Sequence, residues 1–111
     1  MDLDRSNKRL HLLEKTIAAG SQDPFVHYAR ALELRGQGDL QEALKALTDV
    51  ETRFPDYVPT FLMAGQVAVE LELTEVARQV WERGLSLAAR VGDEHARSEL
   101  SQALSTLDST T

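Results

Sequence analysis

Cysteine is absent from the 111 residues. That removes a disulfide framework, a thiol nucleophile and a thiolate zinc site from consideration. Proline occurs three times, too rarely for a linker-rich or disordered chain. Aromatic residues make up 5% of the chain, so the core must be built mainly from aliphatic side chains. Basic residues are in the minority, 12 against 18 acidic, for a formal net charge of −6. Such a surface repels phosphate backbones and anionic lipid, which speaks against nucleic acid and membrane as partners. No run is apolar enough to suggest a spanning helix, and the start Met1-Asp2-Leu3-Asp4-Arg5 lacks the pattern of a signal peptide. The expected compartment is the cytoplasm. The length suits one domain able to bury its own core.

What is present is helical periodicity from end to end. Leu10, Leu13 and Ile17 recur at helical spacing within 5–20. Asp23-Pro24 offers a cap and a first-turn proline for a second helix ending at Gly36. Gly38 can take a positive φ at the turn, and Asp39 with Glu42 can form an acidic variant of the capping box. A third helix then carries Leu40, Ala43, Leu44, Leu47 and Val50 on one face up to Phe54-Pro55. Asp56 is a candidate cap for a fourth helix, which Pro59 can enter only in the first turn. A fifth runs from Thr74 to Arg90, and Gly92-Asp93 closes it and caps a sixth over 93–107. Residues 108–111 read as a polar tail. No stretch carries a strand signal.

The hairpin of helices two and three maps onto that of helices four and five with a shift of 34 residues. Ala31 falls on Gly65, Ala43 on Ala77, Leu47 on Trp81, Val50 on Gly84 and His27 on Phe61. Gly65 and Gly84 lie inside helices at a cost of about 1 kcal/mol each relative to alanine, so close helix contact is expected to offset it.

These residues resemble the tetratricopeptide repeats. In unit 24–57, Ala31, Leu34, Gly38, Ala43, Leu47 and Pro55 stand at the family's characteristic positions; in unit 58–91, Phe61, Gly65, Ala77, Trp81 and Gly84 do the same. His27 departs from the usual large aromatic, Glu72 from the turn glycine and Ala89 from the closing proline. The second turn is therefore expected to be weaker or differently shaped, with Thr74 as its cap. The resemblance implies an all-α, right-handed superhelix of antiparallel hairpins, with about six helices. Helix one would be the second half of a degenerate leading unit and helix six a solvent-facing cap.

Chemistry is sparse. His11, His27 and His95 are the only imidazoles, and none lies four residues from another, as two metal ligands on one helix face would. His27 sits at a packing position and reads as structural. Carboxylate pairs such as Glu70 with Glu72 or Glu94 with Glu99 are ordinary on a helix surface. With no strand, there is no strand-loop-helix phosphate site. The reading is a protein without catalytic residues, metal or cofactor.

The resemblance instead points to the inner face of each unit's first helix, which lines the concave groove of the family. That face holds Tyr28, Leu32 and Arg35, with Phe25 near its start, and Leu62, Gln66 and Val69 from the second unit. Tyr28 and Leu32 stand where relatives that grip a terminal carboxylate carry Lys and Asn, so that clamp is missing. The expected partner is a peptide or helix of another protein, seated on apolar pockets with Arg35 and Gln66 as polar fixing points. The same residues become ordinary core if helix one or helix six folds over them. The alternative is a self-association unit pairing through helix one or six, so the expected state is a monomer or a weak homodimer.

Overall fold

The computed structural model describes residues 3–110 and contains six helices, with no strand among those residues. They are α1 (Leu3–Ala18), α2 (Pro24–Gly36), α3 (Leu40–Arg53), α4 (Pro59–Glu70), α5 (Thr74–Val91) and α6 (Glu94–Thr110). Each helix packs on its neighbours in the chain, and α4 also touches α6. This is an all-α solenoid of stacked hairpins.

The turns recur. After α2, the N–H of Asp39 bonds to the carbonyl of Leu34 at 3.0 Å and that of Gly38 to Arg35 at 2.9 Å. This crossed pair is a Schellman motif, and it needs a left-handed residue, here Gly38 at φ +83°. The ends of α1 and α5 repeat it around Gly20 and Gly92. So does the end of α4, where Leu73 bonds to Ala68 at 2.8 Å and Glu72 to Val69 at 2.9 Å. The expected distortion of this second turn is not found. Its geometry is kept, and Glu72 is held at φ +61° as the one non-glycine with positive φ among the described residues.

Several expected caps are replaced. Asp23 does cap α2, accepting from the N–H of Phe25 at 2.9 Å, and Asp93 caps α6 through Ala96 at 3.0 Å. Asp39 occupies the N-cap of α3, but its side chain makes no capping bond; only its carbonyl accepts, from Ala43 at 2.9 Å. The N-caps of α4 and α5 are Val58 and Leu73, not Asp56 and Thr74. Apolar packing of the hairpins sets these helix starts instead of side-chain oxygens. Helix α6 also continues through Thr110, so 108–110, expected as a tail, complete its last turn; Thr111 lies outside the described residues. An ion pair from Arg78 to Asp108 fastens that turn to α5.

The core runs along the stack between the hairpins, with Leu47, Val50, Val67 and Leu100 almost wholly buried. Trp81 and Phe61 belong to it as well. Both mid-helix glycines sit against them: a Cβ on Gly65 would overlap the indole of Trp81, and one on Gly84 would lie 2.5 Å from the Cβ of Phe61. His27 is buried too, its Nε2 donating to the carbonyl of Ser21 at 2.9 Å and its ring tilted against Phe54.

Candidate functional site

Helices α2, α4 and α6 are alternate members of a chain of antiparallel hairpins, so they run in one direction and share one face. The proposed groove residues lie along it, in three unfilled spaces. Tyr28 and Leu62 meet in a cavity of about 270 Å³ closed by Val58, Met63, Ala96 and Leu100. Leu62, Gln66 and Val69 line a crevice of about 490 Å³ between α4 and α6, with Trp81 and Leu107 at its floor. Leu32 and Arg35 border a third space of about 450 Å³ with Met63 and Glu70. Phe25 is 58% exposed and lines none of the three.

Five of the six are partly buried, Tyr28 and Leu62 packed against the core, and Val69 is exposed. Helix α6 stands beside α4 as a second wall of the crevice. That role was not read from the sequence, and neither were Glu99, Gln102 and Thr106, which α6 contributes.

Tyr28 is fixed edge-on against Tyr57, with ring centroids 5.7 Å apart. Its phenol is pushed up from the usual value by burial and then by Tyr57, with Arg35 pulling the other way. It stays protonated at neutral pH and can donate a hydrogen bond.

Arg35 is not a free fixing point. Its Nε and one terminal nitrogen reach the two carboxylate oxygens of Glu70 at 2.9 and 3.0 Å, and its other terminal nitrogen lies 3.5 Å from the sulfur of Met63. The pair is bidentate, which fixes the guanidinium plane as well as its charge. The hydrogen bond from Arg35 accordingly holds Glu70 below the ordinary carboxylate range. Gln66 is partly buried in the crevice between α4 and α6.

Among the described residues, no group of three or more His, Asp or Glu side chains could hold a metal ion. His95 is on the surface next to Glu99, at 3.3 Å. No helix among the described residues is long and apolar enough to cross a membrane.

No protein-family model matches the chain. A TPR repeat-containing protein of Pseudomonas aeruginosa is 29% identical over 96 residues, which span 86% of this chain and 91% of the relative. A tetratricopeptide repeat domain protein from Salinibacter ruber, solved by NMR, matches with a TM-score of 0.78 at 28% identity, covering 81% of this chain and 91% of that one. The TPR2B domain of yeast Sti1, solved in a complex with pHsp70, matches with a TM-score of 0.87 over 97% of this chain and 86% of that one, and at 13% identity the likeness is one of fold. In its 34-residue hairpins, its paired mid-helix glycines and its fold, the chain is similar to these tetratricopeptide-repeat proteins.

Proposed function

We propose that the protein is a non-enzymatic interaction module that seats a peptide or helix of a partner protein along the shared face of α2, α4 and α6. The observation that carries this reading is the pair of unfilled, mainly apolar spaces that meet at Leu62. Apolar side chains of a partner would fill them. The fold likeness to a domain solved with pHsp70 supports the same reading. Tyr28, Leu62 and Val69 supply the apolar contacts and Gln66 the polar fixing point, while Leu32 with the Arg35–Glu70 pair borders the far end.

Tyr28→Ala combined with Leu62→Ala tests it. The double variant should weaken binding of the natural partner at least tenfold and leave the helical circular-dichroism signal intact. Unchanged affinity contradicts the assignment.

One observation favours a second reading, self-association through α1. Leu12 is 64% exposed, although its counterparts one and two repeats on, Ala46 and Val80, are 4% and 6% exposed. Light scattering over a concentration series separates the readings, since a dimer that Leu12→Lys dissociates would favour the second.

A further inference from the structure

The groove is not uniform in charge, and the difference specifies the partner. At the α2 end, the one cation of the six groove residues is neutralised by Glu70. At the α4–α6 end, neither a lysine nor an arginine lines the 270 Å³ cavity or the 490 Å³ crevice. Glu99 lines both, as does Leu62 opposite. The carboxylate of Asp93, the other acid there, already caps the N–H of Ala96. Glu99 has as its neighbour only the largely exposed ring of His95, which balances it only when protonated. A half-exposed carboxylate thus stands between two apolar recesses, neither of which is lined by a lysine or an arginine.

Resting on the reading of this face as a partner-binding groove, we infer that the α4–α6 crevice takes a peptide segment in which a lysine or arginine is flanked by apolar side chains. The cation meets Glu99, one apolar side chain enters the space under Tyr28 and Leu62, and another enters the crevice over Trp81 and Leu107. Charge complementarity selects this occupant. An acidic segment would place like charges together in a partly desolvated crevice, and a neutral one would leave Glu99 without its partner.

Three pools of fluorescent peptides test the inference. Each has random apolar residues around a fixed centre, which is arginine in one pool, glutamine in the second and glutamate in the third. Anisotropy is measured with the full chain and with Glu99→Gln, Glu99→Arg and Leu62→Ala, each variant checked for its helical signal. The arginine pool should bind about tenfold more tightly than the glutamate pool, and added salt should narrow the gap. Glu99→Gln should abolish the preference and Glu99→Arg reverse it. A preference that survives Glu99→Gln, equal binding of all three pools, or binding of none of them up to millimolar peptide overturns the inference. If binding ignores charge but is lost in Leu62→Ala, the inference fails while the groove reading stands. If binding also ignores Leu62→Ala, the groove reading fails with it.

Discussion

The indole nitrogen of Trp81 donates a hydrogen bond to the carbonyl oxygen of Leu62 at 3.1 Å, across the surface of Gly65. One contact therefore ties the core of the second hairpin to a residue at the centre of the groove. It is possible only because position 65 has no side chain. Gly65→Ala adds helix propensity of about 1 kcal/mol. Displacing a buried indole and breaking its hydrogen bond costs more, so the net loss should be about 2 kcal/mol or above. Gly84→Ala, against Phe61 and Leu100, should also destabilise. Gly36→Ala meets nothing within 4 Å and should be neutral or stabilising by up to about 0.5 kcal/mol. Urea unfolding midpoints at unchanged slope check all three.

Glu72 performs the backbone task of a glycine. An L-residue with a side chain in the left-handed region costs about 1 kcal/mol or somewhat more, part of which returns because a non-glycine restricts the unfolded chain. Glu72→Gly should raise stability by roughly 0.5 kcal/mol, and Gly38→Glu at the matching turn should lower it. Thermal melts of the two variants check the opposed signs.

How the sequence reports this molecule depends on the range of each interaction. The six helices and the repeat are written in local terms: apolar spacing, Pro24 and Pro59 in first turns, and glycines at the turns. The Schellman turn at Glu72 was misjudged because residue identity biases φ without dictating it. The hydrogen bonds from Leu73 and Glu72 hold the turn even without glycine. The Arg35–Glu70 pair joins residues in neighbouring repeats, and nothing local marks it. The contribution of α6 to the groove was hidden for another reason. Thirty-four residues after Phe61 and Gly65 stand His95 and Glu99, so α6 lacks the packing residues that mark the repeat.

The Arg35–Glu70 pair predicts a pH dependence. Glu70 is held below its ordinary value of 4.5 chiefly by the hydrogen bond from Arg35. A carboxylate with a depressed folded value contributes stability above its unfolded value and loses it as pH falls through the folded one. The stability difference between wild type and Glu70→Gln should therefore be constant from pH 6 to 8 and shrink below about 4.5. Both groups are partly exposed, so that difference should stay within about 1 kcal/mol. Denaturation series at several pH values check it.

Thr60 is fully buried at the start of α4, and its hydroxyl has no hydrogen-bond partner. A buried polar group without a partner costs free energy that an isosteric methyl does not. Thr60→Val should stabilise by about 1 kcal/mol, measured as a shift of the urea midpoint.

The central claim is that a partner segment lies along the face of α2, α4 and α6. Site-specific photo-crosslinking in the extract of the native cell tests it most directly. A photoreactive residue is placed at Gln66 in the crevice or at Lys45 on the exposed side of α3. The account predicts a discrete adduct from position 66 that disappears when Tyr28→Ala and Leu62→Ala are added, and none from position 45. An adduct from position 45 alone, or one from position 66 that survives the double substitution, would contradict it.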